Sequence, residues 1–192
     1  MQFKAYDILS SLIPGFLVLL VVLKIANMGF DKDLAIAYTA VAFLLGYLVN
    51  TLASWMEDIY YFSWGGKPSS RLLDGKDIWK VKFYTTTEVK ELLKSETSNP
   101  NPKNDELFGI AMRYANGEKD TRIDDFNASF AFSRALLTCA IICTILLLLK
   151  FPCNLTYYSS LIAVIVIWLR CKQRGYYYAK EVLNVYLKIK KK

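Results

Sequence analysis

Apolar residues are concentrated in four runs along the chain, and polar segments separate them. The first run extends from Ile8 to Ala26 and contains a single charge, Lys24. The second extends from Leu34 to Trp55 without any charge. The third and fourth cover residues 130–149 and 155–169. A helix of about 20 apolar residues crosses the hydrocarbon core of a bilayer, so the pattern predicts four membrane spans.

The first run could also be a cleaved secretion signal, because Lys4 precedes it. The segment that follows, residues 27–31, lacks the small-x-small pattern of a cleavage site, which favours a retained span. Pro14 removes a backbone donor inside the run and Gly15 weakens a helix, so a kink or a helix start is predicted there. Residues 3–13 would then form a short amphipathic segment along the membrane surface.

The basic residues are distributed unevenly around these runs. The net charge is +7, which could indicate nucleic-acid binding but is also expected when a membrane protein keeps Lys and Arg on its cytoplasmic side. Of the 24 basic residues, Lys24, Lys32 and Lys150 fall in the short connections, and Arg134 lies inside the third run. The others fall near the N-terminus, in the long middle segment and in the tail. This distribution predicts that both termini and the middle segment are cytoplasmic, and no direct nucleic-acid binding is expected.

The predicted fold class is mainly α, a polytopic membrane protein with four transmembrane helices. Residues 1–55 form a first hairpin, 56–127 a small cytosolic module, 128–171 a second hairpin and 172–192 a basic amphipathic tail. Within the module, Thr85 and Glu88 match a capping box before a helix, and a further helix begins near Asn104 and stops near Gly117. The alternating segment "IWKVKFY" predicts a short strand, and the sequence around Pro68 predicts turns.

A polar stripe crosses from the module into the third run. Helical steps of three and four residues place Asp124, Asn127, Arg134 and Thr138 on one face. An ionisable group at depth usually faces protein or water, so one interpretation is an aqueous path or a subunit contact that couples the membrane to the module. The alternative is that Arg134 extends to lipid phosphates near the end of the span.

The tail also has two open interpretations. Five apolar residues share one helical face, and basic residues lie opposite and at the end. A basic amphipathic helix on an anionic leaflet is favoured, and packing of this helix on the middle module is the alternative. The candidate lipid-contacting residues are Lys188, Lys190, Lys191 and Lys192.

Catalytic chemistry finds little support in the residues. The chain contains no histidine, which excludes Ser-His and Cys-His nucleophiles and His-ligated metals. Gly65-Gly66-Lys67 lacks the spacing of a phosphate loop. Cys139 and Cys143 lie one turn apart in the third run, and Cys153, the only cysteine expected on the outer side, is predicted to be a free thiol. We expect no enzymatic activity, cofactor or metal.

Small residues in the spans predict self-association, because they let helices approach closely. They are Ala42, Gly46, Ala53, Ser54, Cys139 and Cys143. The predicted partners are therefore membrane lipid, further copies of the chain and a cytosolic protein.

The layout resembles the small four-span membrane subunits of bacterial anti-phage defence systems, and most of all those of the Kiwa system. The resemblance covers the start "FKAYDILSSLIPGF", the two hairpins, the insert of about 70 residues and the basic tail. It implies a homotetramer in the inner membrane that senses phage infection and holds a cytosolic effector. The chain is also similar in layout to the membrane accessory proteins of type VI-B CRISPR loci. Some of these look like ribonucleases with an Arg followed by His, a motif that Arg134 and the residues after it do not match.

Two functions of different classes follow from these features. The first is a membrane sensor and scaffold that holds an effector, and the second is an oligomeric pore that depolarises the membrane. A pore needs polar groups along its axis, and the sequence offers only the stripe that ends at Thr138. The scaffold is therefore favoured.

Overall fold

The computed structural model describes residues 5–118, 121–152 and 154–191. Within these ranges the chain is mainly helical, at 79%, and has no strand. The helices are α1 (Ala5–Ile25), α2 (Ala35–Trp55), α3 (Glu57–Ser63), α4 (Pro68–Leu73), α5 (Thr86–Ser95), α6 (Asn104–Gly117), α7 (Ile123–Lys150) and α8 (Leu155–Lys190). A short 3₁₀ turn, Lys32–Leu34, leads into α2.

Four of the helices, α1, α2, α7 and α8, are long and apolar enough to cross a membrane. This confirms the prediction of four such helices and indicates a membrane protein. The helix start predicted as one possibility at Pro14 is wrong, because α1 runs from Ala5 through Pro14 without interruption. Within the hydrocarbon core a continuous helix hydrogen-bonds all of its remaining backbone groups. This stabilisation outweighs the loss of the one donor that proline lacks. The location of the residues that precede Pro14 along the membrane surface stays a prediction.

The chain forms two compact units. Unit 1 comprises the described residues up to Glu57 together with Ala131–Cys171, and unit 2 comprises those of Asp58–Phe130 and Lys172–Lys192. Helices α7 and α8 each contribute residues to both units. The tail, predicted from the sequence as a separate segment, therefore belongs to the same unit as most of the middle segment.

In unit 1, α1 and α2 pack closely through glycine. A Cβ added at Gly15 would lie 1.8 Å from the Ala42 carbonyl oxygen, and one added at Gly46 would lie 1.8 Å from the Ser11 carbonyl oxygen. Asn50 Nδ2 also donates a hydrogen bond of 2.9 Å to Ser11 Oγ. Backbones that approach this closely leave no room for larger side chains, as in other tightly packed membrane helices.

Unit 2 has a hydrophobic core built from α4, α5, α6, the start of α7 and the C-terminal part of α8. Large side chains fill it, and these include Leu72, Leu93, Leu107, Tyr176 and Leu183, none of them exposed. The apolar face of the tail lies in this core, because Ala179, Val182, Leu183, Tyr186 and Leu187 are all buried there. The structure therefore agrees with the alternative interpretation, in which the tail helix packs on the middle module.

Three local predictions in unit 2 need correction. The predicted strand at "IWKVKFY" is a tight turn with one isolated bridge between Ile78 and Val81, since Lys80 adopts a left-handed conformation that reverses the chain. Thr85 precedes α5, but its side chain makes no capping hydrogen bond. Pro68 opens the short helix α4 instead of a turn, because a proline at the first helical position lacks only a donor that would be unbonded anyway. The helix predicted over residues 104–117 is confirmed as α6.

Candidate functional site

Arg134, the one charged residue inside the third apolar run, forms an ion pair within unit 1. Its Nη1 donates to Glu57 Oε2, and Glu57 is the first residue of α3. The Arg134 side chain is 16% exposed and that of Glu57 is 31% exposed. A charge removed from water is costly unless an opposite charge accompanies it. The pair therefore favours the interpretation in which Arg134 faces protein over the one in which it extends to lipid.

The residues beside Arg134 on α7 face the interior of unit 1. Thr138 is 1% exposed, and its hydroxyl donates to the Arg134 carbonyl oxygen at 3.0 Å. One residue further on, Cys139 Sγ lies 3.3 Å from the Pro14 carbonyl oxygen, so α7 touches α1 at the proline. Cys139 packs with Val18 and Val49, which belong to α1 and α2. Arg134 therefore lies close in the sequence to Cys139, where α7 contacts both α1 and α2.

The other two residues of the predicted stripe lie elsewhere. Asp124 and Asn127 are exposed and belong to unit 2, where they line a shallow pocket with Asn116 and Tyr178. Ten residues of helix separate Asp124 from Arg134, which corresponds to about 15 Å. The structure therefore brings Arg134 and Thr138 together but does not assemble all four residues into one site.

The basic residues at the end of α8 have acidic partners in unit 2. Lys190 Nζ lies 2.5 Å from Glu96 Oε1, and Lys191 Nζ lies 2.7 Å from Glu88 Oε1. The hydrogen bond from Lys190, with a second from Tyr114, lowers the pKa of the Glu96 carboxyl. Lys188 is exposed, and Lys192 lies outside the described residues. Of the four predicted lipid contacts, two are therefore engaged by carboxylates of the same chain.

No group of three His, Cys, Asp or Glu residues that could hold a metal occurs among the described residues. Cys139 and Cys143 are free thiols whose sulfur atoms lie 3.9 Å apart, and Cys171 is free and buried. Cys153, predicted to be a free thiol, lies outside the described residues. Cys139, with Cys143 packed beside it, contributes to helix packing in unit 1.

Nothing in the sequence identifies Glu57 as the partner of Arg134. The two residues are 77 positions apart, and no local periodicity connects them. Several of the small residues predicted to mediate self-association lie in contacts within the single chain, and self-association stays a prediction. Ala42, Gly46, Ala53 and Cys139 are buried within one chain, whereas Ser54 is exposed.

No family model, curated protein or solved structure matches this chain.

Proposed function

We propose that this protein is an integral membrane sensor and scaffold of an anti-phage defence system. In this proposal it forms oligomers in the bacterial inner membrane, places both termini and unit 2 in the cytoplasm, and holds a cytosolic effector protein. The defence role comes from the resemblance of the four-span layout to subunits of such systems. The observation that supports a scaffold is the construction of unit 2, which has a complete hydrophobic core of its own.

A folded unit of this kind is more than a connection between spans requires. Its core includes residues from the C-terminal half of α8, so the tail and the middle segment fold as one body. Such a body offers a rigid surface for a protein partner. The pairing of Arg134 with Glu57 in turn disfavours the pore, because the charge is matched within the chain instead of being available to line a conducting axis.

The test is affinity purification of the tagged full chain in mild detergent, with mass determination and identification of bound proteins. The proposal predicts a mass of several subunits and a stoichiometric soluble protein that pulls down this chain in return. Leu183→Ala, which cuts into the core of unit 2, should lose the partner, while the matched change Leu169→Ala on the same helix should keep it.

Two results would contradict the proposal. A single-subunit mass without any bound protein would exclude both the oligomer and the scaffold. An oligomer that has no partner and conducts ions in a planar bilayer would favour the pore. Plaque counts on cells that carry the parent chain or the Leu183→Ala variant test the defence role separately.

A further inference from the structure

The segment from Ile78 to Tyr84 in unit 2 forms a closed turn. The Ile78 and Val81 backbones exchange hydrogen bonds of 3.1 and 3.4 Å, which leaves Trp79 and Lys80 at the tip. Lys80 has a φ of 67°, in the left-handed region that reverses the chain within two residues. We call this segment the Trp79 loop.

The Trp79 loop is anchored to unit 2 on one side and open on the other. Val81 is fully buried in the core and Phe83 is 5% exposed, and the Phe83 backbone N–H donates to Asp77 Oδ1 at 3.1 Å. From α8, Lys180 Nζ donates to the Lys82 carbonyl oxygen at 2.6 Å. These contacts hold the loop in one conformation, so its outer side chains need little ordering before they bind a partner.

The outer side chains of the Trp79 loop are aromatic and basic. Trp79 is 79% exposed and Tyr84 is 91% exposed. The ammonium of Lys80 lies 4.2 Å from the Trp79 ring centroid, and Lys82 is also exposed. Asp77, which precedes the loop, is half-buried and accepts the Phe83 amide, so the exposed charges within the loop are those of Lys80 and Lys82. The exposed surface is therefore positive around two large aromatic rings.

We propose that the Trp79 loop binds the headgroup region of an anionic lipid bilayer. Tryptophan and tyrosine prefer the membrane–water interface, where an apolar ring and a polar group are both accommodated. Lysines near an anionic leaflet gain electrostatic attraction to its phosphates. The apolar helices of the same chain keep a bilayer within reach, which raises the effective concentration of lipid around the loop. This inference does not depend on the anti-phage function.

The test uses the full chain in nanodiscs of phosphatidylcholine, with or without phosphatidylglycerol, that carry brominated acyl chains. The fluorescence of Trp79 is obtained as the difference between the parent and Trp79→Phe. We expect a blue-shifted Trp79 emission that brominated lipid quenches, and stronger quenching when phosphatidylglycerol is present. Each lysine removed should lower the ratio of bound to free loop about fivefold. Lys80→Ala/Lys82→Ala should therefore reduce the quenching strongly.

The control is Lys94→Ala/Lys103→Ala, which removes the same charge from exposed positions elsewhere in unit 2. It should leave Trp79 quenching unchanged. A red-shifted Trp79 emission that brominated lipid does not quench would overturn the proposal and leave the loop as a surface for a soluble partner. Equal quenching in both lipid mixtures, or equal loss in the two double variants, would overturn the role assigned to Lys80 and Lys82.

Discussion

Units 1 and 2 differ in how their large apolar side chains are distributed between the interior and the surface. In unit 1 the closest backbone approach is made at Gly15 and Gly46, while large residues such as Ile36, Leu44 and Ile162 are between 60% and 88% exposed. In unit 2 large side chains such as Leu72 and Leu183 form a fully buried core, while Trp79 and Tyr84 of the Trp79 loop are exposed. One chain therefore follows two packing rules.

This difference in packing is expected if unit 1 is surrounded by lipid and unit 2 by water. Lipid tails are as apolar as leucine, so helices in a bilayer gain little by hiding large apolar side chains and associate through close contact of small residues. In water the removal of apolar surface is itself the driving force. Helix α8 follows both rules, since Ile165 and Val166 are largely exposed while Val182 and Leu183 are fully buried.

Leu183→Ala should give the largest effect, because Leu183 is fully buried in the core of unit 2. Truncation of a buried leucine costs about 2–5 kcal/mol of unfolding free energy. Leu169 lies on the same helix but is 56% exposed, so Leu169→Ala should change the stability little. Denaturant unfolding in detergent, with hydrogen exchange of α5 and α6 amides, measures both variants. Similar losses for the two would contradict the division into a water-type core and a lipid-facing surface.

A pair of glycines gives the second comparison. Gly46→Ala forces a methyl group into the Ser11 backbone and should cost about 1–3 kcal/mol. Gly109 in α6 has no atom within 4 Å of an added Cβ, so Gly109→Ala should stabilise unit 2 by about 0.5–1 kcal/mol through its better helix propensity. Thermal unfolding in detergent measures the two shifts. A melting temperature for Gly46→Ala at or above that of the parent would refute the close approach of α1 and α2.

The Arg134–Glu57 pair gives the third and smallest effect. Arg134→Leu and Glu57→Leu each leave one charge without its partner. Because the two side chains are 16% and 31% exposed, the expected loss lies between that of an exposed pair and that of a fully buried one, at about 1–2 kcal/mol in either single variant. The double variant should recover most of this stability, because no isolated charge remains. If Arg134 instead contacts lipid phosphates, Arg134→Leu will have the same effect with and without Glu57.

The same variants separate stability from signalling. If the pair couples the membrane to unit 2, Arg134→Leu should abolish protection against phage at unchanged membrane abundance. Arg134→Lys keeps the charge and should retain part of the protection. Plaque counts and immunoblots of membranes decide this, and full protection by Arg134→Leu would exclude coupling.

The sequence predicted what depends on local periodicity. The four uncharged or nearly uncharged runs correspond to four long apolar helices in the structure. Helix α6 begins at Asn104 and ends at Gly117, as the residues there predict. Contacts between distant residues could not be found in this way. An apolar helical face fits lipid and protein equally well, so periodicity alone did not determine that Leu183 and Tyr186 pack in unit 2. The alternation of "IWKVKFY" fits a strand or a closed turn, and the left-handed Lys80 decides between them.

In the proposed topology unit 2 lies in the cytoplasm and the apolar helices cross the membrane. Ser95 is exposed at the end of α5, so Ser95→Cys in a Cys153→Ser background introduces a thiol that reports the side on which unit 2 lies. The parent chain is the opposite control, since its Cys153 is predicted to face outward. We predict that an impermeant maleimide applied to spheroplasts labels the parent but labels Ser95→Cys only after permeabilisation. Labelling of Ser95→Cys in intact spheroplasts would contradict the account.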